Sequence, residues 1–480
     1  MYIKVLCLGD FILNEIDKLF ELVINNGYCI GCGNCAAVEN SPLIMYKNNE
    51  GKFIPKLKDN NYNNEISVLS VCPFFNDELD EDIIAENLYR DSNKIKHNEY
   101  TGYYINNYAG YVKDDQYRMS GSSGGMGTWI TAKLLEKDLV DGIIHVKEDE
   151  KDNDTLFSYQ VSESKNELFE GSKSKYYPIE MSKVIKYIQN NPGNYAVVGI
   201  PCFIKAIRLI SEGNKEINER IKYTIGLVCG HLKSDYFAKS IGWELGIKPE
   251  NLTNIDFRVK YEDKQANKYG VKVNGLINNK KVEKEAVSSS LYVTNWGHGL
   301  FKYKACDYCD DVLAETADIT IGDAWLPEYV KDNKGTNIIT VRDSDLNEII
   351  KDNNELYLDK LSIKEIFQSQ AGGFRHRREA LAYRLFLDEK DKKWHPPKRI
   401  EASNKGIKNK RKEIYEKRIE LYQESFNAYK KALEDKKFKN FIEYMNPYIK
   451  NYNKLIKKPL IYRFLAKFSF LRKIKRIVFN

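Results

Sequence analysis

Three cysteines recur at every third position in the stretch YCIGCGNC, residues 28–35. They are Cys29, Cys32 and Cys35, and the glycines at 31 and 33 allow the chain to turn tightly between them. A C-x2-C-x2-C run wraps three thiolates around an iron–sulfur cube while the intervening amides point at the sulfurs. The spacing therefore predicts a cluster site that still lacks one ligand.

The fourth ligand is absent from the position where a complete ferredoxin run places it. That run adds a cysteine followed by proline, and Glu39 stands there instead. In ferredoxins with two clusters the local fourth cysteine serves the other cluster, and a distant Cys-Pro completes the first. Cys72 and Pro73 match that returning pair. We therefore predict a single 4Fe-4S cluster on the three cysteines and Cys72, with zinc, which usually takes paired C-x2-C units, as the alternative.

Two further cysteines follow predicted strands. Cys202 follows AVVGI (196–200) and Cys229 follows YTIGLV (223–228), each where a strand gives way to a helix. In an open parallel sheet such strand ends face one crevice, which is where ligands bind. A helix N-terminus also lowers a thiol's pKa and favours the thiolate that a metal needs.

Cys306 and Cys309 supply a C-x2-C in ACDYCD and complete a second predicted set of four with the two strand-end cysteines. Each has another interpretation, because a lone cysteine after a strand is often a core residue and C-x2-C also serves as a redox pair or half a zinc site. Eight of the nine cysteines fall into two closed sets, which favours the metal interpretation. Cys7 is left over and is predicted to be structural.

Small residues cluster in SGSSGGMGT, residues 120–128, between a predicted strand and a predicted helix. Such a loop exposes backbone amides and the positive end of a helix, which suits a phosphate or pyrophosphate. It matches neither common nucleotide fingerprint, and a flexible loop is the alternative. The candidate cofactor contacts in this loop are Ser120, Gly121, Ser122, Ser123, Gly124 and Gly125.

The elements that must position these residues alternate between strand and helix from 108 to about 385. Strands are predicted at 108–112, 141–146, 196–200, 223–228, 317–325 and 337–342, and helices at 124–140, 203–210 and 233–245. This alternation predicts an α/β core with a mostly parallel or mixed sheet and flanking helices. A polar stretch near 90–107 is predicted to be a linker, residues 11–25 a helix, and the chain after about 404 a helical appendage.

Composition indicates a soluble globular protein, with 480 residues, 42% hydrophobic and 30% charged. The N-terminus carries acidic residues within its apolar stretch, unlike a secretory signal, and no apolar run is long enough to cross a bilayer. We expect a cytoplasmic protein, where clustered cysteines indicate metal or catalysis rather than disulfides.

The basic character lies in the tail alone. Residues 398–480 hold 24 Lys and Arg against 8 Asp and Glu, so that the remainder has a net charge of −9 within a total of +7. We therefore predict no nucleic-acid partner. The final stretch, LIYRFLAKFSFLRKIKRIVF, mixes aromatic and basic residues and predicts either contact with a membrane surface or a solvated appendage.

Taken in order, these motifs resemble the beta subunit of coenzyme F420-reducing hydrogenase and its dehydrogenase relatives over about residues 25–385. The motifs that carry the resemblance are CIGCGNC, EGKFIP with VCPF, SGSSGGMGT, VDGIIHV, GIPCFIKAIR, GLVCGH, FRVK and CDYCDDVLAETADITIGDAW. The chain departs from the usual pattern at Phe203 and in the order of Gly230 and His231. A difference on the substrate side is expected from these departures.

The resemblance implies an iron–sulfur flavoprotein oxidoreductase with two 4Fe-4S clusters and FAD. It further implies a ferredoxin-like electron carrier as partner, and coenzyme F420, another small molecule or a lipid-linked intermediate of cell-surface polysaccharide synthesis as substrate. By analogy the glycine-rich loop contacts FAD, and Arg258 and Lys260 neutralise phosphate or substrate charge; their alternative is a strand's solvent face. A zinc-stabilised or redox-inactive binding protein remains the alternative function.

The predicted organisation has four parts. An N-terminal helix spans 1–24, a ferredoxin-like 4Fe-4S module 25–80, a flavin and iron–sulfur domain 105–390, and a basic helical tail 395–480. The predicted location is the cytoplasm, with attachment to the membrane periphery through the tail as an addition.

Overall fold

An eight-stranded mixed sheet organises the chain in a computed structural model, which describes residues 14–58, 66–149 and 154–457. The strands are β1 (Leu43–Lys47), β2 (Phe53–Leu57), β3 (Lys96–Asn98), β4 (Gly102–Tyr104), β5 (Asn106–Val112), β6 (Gly142–Glu148), β7 (Phe157–Ser162), β8 (Tyr195–Gly199), β9 (Ile221–Leu227), β10 (Leu252–Val259), β11 (Gly270–Ile277), β12 (Lys280–Val287), β13 (Ile319–Asp323), β14 (Asn337–Val341) and β15 (Leu356–Lys360).

Helices flank this sheet and form the C-terminal part. They are α1 (Glu15–Lys18), α2 (Asn34–Ala37), α3 (Glu81–Tyr89), α4 (Asp115–Ser120), α5 (Met126–Glu136), α6 (Lys165–Glu170), α7 (Ser182–Asn190), α8 (Pro201–Glu212), α9 (Lys215–Arg220), α10 (Asp235–Glu244), α11 (Ser344–Ile350), α12 (Ile363–Ser369), α13 (Ala371–Arg377), α14 (Glu379–Lys390), α15 (Asn409–Glu434) and α16 (Phe438–Ile456). A π-helical turn, Leu19–Ile24, continues α1.

The large sheet has the strand order β15-β5-β14-β13-β9-β8-β6-β7. The four strands β13, β9, β8 and β6 are parallel neighbours, whereas β15, β5, β14 and β7 pair antiparallel. The predicted α/β class with a mixed sheet is confirmed. Because β5 runs in the same direction as the parallel strands, β5, β8, β9 and β13 all end at one edge of the sheet, which we call the carboxyl edge.

The central strands are apolar because helices cover both faces of a parallel sheet. Every residue of β14 is buried, and β8 exposes only part of Val198. The predicted strands at 108–112, 196–200 and 337–342 match β5, β8 and β14 within a few residues. The apolar runs in the sequence therefore predicted these three strands correctly.

The predicted linker at 90–107 is wrong. This stretch contains the antiparallel pair β3–β4, and it buries Thr101 and Ile105. Arg342 donates to the carbonyl oxygen of Thr101 at 3.2 Å, and the Ile105 amide donates to Val341 at 2.7 Å. Polar composition resembled a linker, but these buried contacts tie the stretch to β14.

The cysteine-rich N-terminal segment shares one apolar core with the sheet and its helices. Tyr28 and Val71 belong to the same cluster of buried side chains as Phe203, Ile207 and Leu385. The predicted boundaries at 25–80 and 105–390 stay a prediction. The predicted N-terminal helix is described from Glu15 onward, and Cys7 lies outside the described residues.

The chain divides into two compact units, Met1–Asn295 with Phe301–Asn404, and Trp296–Leu300 with Lys405–Asn480. In the second unit α15 and α16 form an antiparallel hairpin, in which Tyr429 packs edge-on against Phe441 with ring centroids 6.4 Å apart. The helical appendage is therefore confirmed, and Pro447 lies inside α16. None of the described helices is both long and apolar enough to span a bilayer.

Candidate functional site

The structure brings the four cysteines of the first predicted set together. Burial raises the pKa of the Cys35 thiol, and the charges of Cys32, Cys29 and Cys72 raise it further. Gly31 and Gly33 have φ of +72° and +89°, a region that disfavours residues with a side chain. A Cβ at Gly31 would lie 2.6 Å from the carbonyl oxygen of Phe53, so this position requires glycine.

Backbone amides point at the sulfurs of this set. The Gly31 amide donates to Cys29 Sγ at 3.4 Å. Further amide bonds to sulfur come from Asn34 to Cys32, Ala36 to Cys35, and Phe74 and Phe75 to Cys72. Burial nevertheless raises the pKa of Cys29 to about 12 and that of Cys72 to about 11, so thiolates here require a bound cation.

Asn34 joins the first set to its surroundings, a role that the sequence analysis missed. Its buried side-chain amide donates to the carbonyl oxygen of Val71 at 3.2 Å and to that of Ala206 at 2.5 Å. Val71 precedes Cys72, and Ala206 lies in α8 one turn after Cys202. One side chain therefore fixes the C-x2-C-x2-C loop to the Cys-Pro loop and to the helix of the second set.

The second set assembles at the carboxyl edge of the sheet. β8 and β9 are parallel neighbours, and Cys202 and Cys229 follow their ends. Residues 301–303 then pair with residues 232–234, since the Ser234 amide donates to the carbonyl oxygen of Phe301 at 3.0 Å. This pairing carries Cys306 to the same place, where the Leu232 amide donates to its sulfur at 3.1 Å.

Mutual electrostatics show that all four members of this set are close. Burial raises the pKa of Cys202 well above its usual value, and the charges of Cys309, Cys229 and Cys306 raise it further. Burial likewise raises the pKa of Cys306 to about 12. Because burial opposes the charged form of Cys202, Cys229 and Cys306, thiolates at these positions would need positive charge nearby.

Arg377 supplies part of that positive charge and was also missed. Its buried guanidinium donates to Cys309 Sγ at 3.4 Å and to the carbonyl oxygens of Cys229 at 2.7 Å and Gly230 at 3.0 Å. Burial opposes its charge, yet the sulfurs of Cys309 and Cys229 keep the pKa of Arg377 above its usual value. Residues 374–378, FRHRR, mark a basic cluster, but no sequence signal shows which of the arginines is buried.

The two sets are neighbours. The charge of Cys32, from the first set, contributes to the raised pKa of Cys202, from the second. Tyr303 is buried near one cysteine of each set: burial raises its pKa, and the charges of Cys29, Asp235 and Cys306 add to that effect. Around the same region, Tyr28 and Tyr308 pack edge-to-face with ring centroids 4.8 Å apart, and each adjoins cysteines of a different set.

Within residues 14–58, 66–149 and 154–457, no three His, Cys, Asp or Glu side chains are grouped closely enough to hold one metal ion. Four thiolates on one zinc at about 2.3 Å have sulfurs about 3.8 Å apart. A cube of iron and sulfide separates its ligands further because the cube lies between them.

The carbonyl groups of the glycine-rich loop accept hydrogen bonds from neighbouring segments. The carbonyl oxygens of Ser122, Ser123 and Gly124 accept bonds from Arg258, Lys260 and the Val112 amide, at 2.9, 2.7 and 2.9 Å. In a trans peptide the next N–H points the opposite way, so three consecutive amides face away from these donors. In the described part of the chain the amides of residues 122–125 meet no acceptor, and they lie at the N-terminus of α5.

Arg258 and Lys260, which the resemblance predicted to neutralise phosphate or substrate charge, both lie beside this loop. Arg258 is buried and donates to both carboxylate oxygens of Asp323, at 2.9 and 3.1 Å. The solvent-face alternative is therefore wrong for Arg258. Lys260 Nζ also donates to the carbonyl oxygens of Arg118 and Lys334, and burial, with the charges of Arg118 and Arg258, lowers its pKa to about 7.

Asp323 connects the loop region to the second set and was not predicted as a site residue. It ends β13 at the carboxyl edge, and β13 pairs with β9, the strand that leads to Cys229. Neighbouring strands are about 4.8 Å apart. A carboxylate at the end of a buried strand was a usable signal, but its partner Arg258 comes from the separate sheet β10-β11-β12.

A polar cavity of about 420 Å³ lies next to the glycine-rich loop. Its lining includes Met119, Ser120, Lys173, Lys175, Asp256 and Lys272. Lys173 is paired with Asp256 at 2.5 Å. The volume is within the range of small-molecule pockets.

Comparison with known proteins gives two adjoining family matches. Residues 107–186 match the N-terminal part and residues 193–364 the C-terminal part of the coenzyme F420 hydrogenase/dehydrogenase beta subunit. Together these matches cover more than half of the 480 residues. They include the loop at 120–125 and the second cysteine set, whereas the first set precedes both.

A curated relative is the coenzyme F420-dependent sulfite reductase of Methanocaldococcus jannaschii, 25% identical over 326 residues. The match covers 65% of this chain and 44% of that protein, so the chain spans less than half of the relative's length. A solved structure of the F420-reducing [NiFe] hydrogenase complex from Methanosarcina barkeri contains a similar chain. The match has a TM-score of 0.48 and 15% identity, and covers 63% of this chain and 99% of that one.

Proposed function

Because this chain belongs to the coenzyme F420 hydrogenase/dehydrogenase beta subunit family, we propose that it is an iron–sulfur flavoprotein oxidoreductase. It exchanges electrons between a one-electron carrier, such as a ferredoxin, and a two-electron organic substrate. The observation that carries the proposal is the gathering of eight cysteines into two neighbouring groups of four.

The donor set of each group fits a 4Fe-4S cluster. Cys29, Cys32, Cys35 and Cys72 would hold the first cluster, and Cys202, Cys229, Cys306 and Cys309 the second. Amides that point at sulfur are what such clusters use to tune their potential, and both groups have them. When bound, clusters carry single electrons and a flavin exchanges electron pairs.

The loop at 120–125 fits the pyrophosphate of FAD. The amides of residues 123–125 point away from the donors that bond the preceding carbonyls, and they lie at the start of α5, where the helix dipole adds positive potential. Arg258 and Lys260 bond two of those carbonyls, and we propose that they thereby fix the orientation of the amides. Their proposed role thus changes from direct contact with the cofactor to orientation of the loop that binds it.

The chain's own residues also define the route between the groups. Asn34 fixes the first group to α8 of the second, and Arg377 offsets the sulfur charge of the second. Asp323 and β13 connect the second group to the loop. The cavity beside Ser120 is where we place the organic substrate, which is either coenzyme F420, another small molecule or a lipid-linked intermediate.

Metal and flavin analysis of anaerobically purified protein tests the proposal. We expect about eight irons per chain in two clusters, with one FAD. Cys29→Ser and Cys202→Ser should each reduce the iron to about four per chain, because each removes a ligand of a different cluster. Cys7→Ser is the matched control, since Cys7 belongs to neither set, and it should keep about eight.

Two results would contradict the proposal. Stoichiometric zinc without iron or flavin would establish the zinc-stabilised binding protein instead. Equal iron contents in the wild type, Cys29→Ser and Cys202→Ser variants would show that the cysteine groups are not the ligands.

A further inference from the structure

Arg377 is a buried cation that forms no ion pair with a carboxylate in the described part of the chain. Its side chain is 1% exposed. The neighbouring arginines differ, because Arg378 pairs with Glu315 at 3.5 Å. Arg384 likewise lies 3.7 Å from Asp307. A buried charge without a counter-charge is strongly unfavourable, so the position of Arg377 indicates that a bound anion compensates it.

The donors of this guanidinium lie beside the second cysteine set. Nε donates to Cys309 Sγ at 3.4 Å, and Nη2 donates to the carbonyl oxygens of Cys229 at 2.7 Å and Gly230 at 3.0 Å. Nη1 is buried and has no acceptor among the described residues. Buried N–H groups almost always have an acceptor, so this nitrogen indicates that the acceptor belongs to a bound group.

A 4Fe-4S cluster on the second set would supply the missing negative charge. A cluster on four thiolates is negative, and its reduction adds one electron without making or breaking a bond. A fixed positive charge beside the sulfurs stabilises the reduced form more than the oxidised form, and burial strengthens this effect because the local dielectric constant is low. Hydrogen bonds to the sulfurs also tune the potential of such clusters.

Other cations act on the first cysteine set. Burial raises the pKa of Cys72, whereas amide bonds and the charges of Lys205 and Lys398 lower it. Lys205 is itself paired with Glu81 at 3.2 Å, which offsets part of its charge. Because Arg377 contacts cysteines of the second set, its charge should act mainly on that set.

We propose that Arg377 raises the reduction potential of the cluster held by Cys202, Cys229, Cys306 and Cys309. It is a positioning residue, which acts through the Cys309 sulfur and through its buried charge and accepts no electron itself. The raised potential favours transfer of one electron, given up by the one-electron carrier, from the first set to the second. This inference rests on the proposed function, because it requires a cluster at the second set.

Redox titration of the anaerobically purified holoprotein, followed by electron paramagnetic resonance, tests the proposal. The Cys29→Ser background should retain only the second cluster, so that a single potential is measured. In that background Arg377→Gln should shift the reduction equilibrium at least about tenfold toward the oxidised form, which is about 59 mV for one electron. Arg377→Lys keeps the positive charge and should shift it by less than about threefold.

The matched control is Arg375→Gln, because Arg375 is exposed and lies two residues away in the same helix, α13. It removes one positive charge from a position where water and salt screen it, and should shift the equilibrium by less than about twofold. The Cys202→Ser background should retain only the first cluster, and there Arg377→Gln should leave the potential unchanged.

Wild-type protein labelled with a nitrogen isotope in arginine alone keeps the test decisive if Arg377→Gln assembles no second cluster. The reduced second cluster should show hyperfine coupling to the label, and this coupling should disappear in Arg377→Lys. Coupling that is absent from the wild type, or that persists in Arg377→Lys, would overturn the proposal.

Two results of the titration would also overturn it. One is an unchanged potential in Arg377→Gln with its cluster intact. The other is an equal shift in Arg377→Lys and Arg377→Gln, since the shape of the side chain and not its charge would then matter. Absence of iron from both cysteine backgrounds and from the wild type would instead refute the proposed function, and this inference with it.

Discussion

Replacing Asn34 by Ala should loosen the first cysteine group and its connection to α8. The variant removes the donor to the carbonyl oxygens of Val71 and Ala206 in a buried site. Ala206 lies inside α8, where its carbonyl oxygen keeps the helical hydrogen bond, so the cost falls on the carbonyl oxygen of Val71. A buried polar group without a partner costs about 1–3 kcal/mol. At the lower limit the local opening equilibrium rises about fivefold.

The control for this variant is Asn26→Ala. Asn26 also donates to two carbonyl oxygens, of Glu21 at 2.8 Å and Leu22 at 3.1 Å, but it is exposed, so water replaces the lost donor. Hydrogen exchange of peptides that contain residues 69–73 and 203–209 measures the effect, and iron counting should show loss of the first cluster only. Exchange and iron content equal to those of Asn26→Ala would refute the reasoning.

Three further predictions concern the glycine-rich loop and its supports. Gly125→Ala should reduce bound flavin, because the φ of Gly125 is +83° and a Cβ there would lie 2.8 Å from the Tyr117 carbonyl. The control Gly127→Ala should keep its flavin, because the added Cβ would meet nothing within 4 Å; flavin absorbance at saturation measures both. Arg258→Met should leave the Asp323 carboxylate unpaired and lower the free energy of unfolding by about 3–5 kcal/mol, measured as a lower melting temperature. Adding Asp323→Asn to the same chain should partly restore the melting temperature, and an unchanged melting temperature in Arg258→Met would contradict the ion pair. The pKa of Lys260 is lowered from 10.5 to about 7, so between these pH values the unfolded chain binds more protons than the folded chain. The stability of the wild type relative to Lys260→Met should therefore rise from about pH 7 to about pH 9. A stability difference that is the same at both pH values would contradict the lowered pKa.

Local sequence patterns predicted much of the fold and the membership of both cysteine groups. Strand runs such as AVVGI and YTIGLV coincide with β8 and β9, and the cysteines that follow them lie at one edge of the sheet. The prediction of a linker at 90–107 was wrong because the burial of this stretch depends on β14, which is more than 200 residues away. Hydrophobic periodicity reports the local environment of a segment, and it contains no information on a distant partner.

The sequence by itself was enough to predict which residues would carry the chemistry, since ligand spacing and loop composition are local properties of the chain. It also determined the charge contrast between the tail and the rest. Only the tertiary structure decided that the two cysteine groups are neighbours, that Asn34 and Arg377 are buried among them, and that Arg258 and Lys260 hold the carbonyl side of the loop. Each of these depends on strand order and on contacts between segments far apart in the chain, where burial and unpaired donors, not spacing, select the partner.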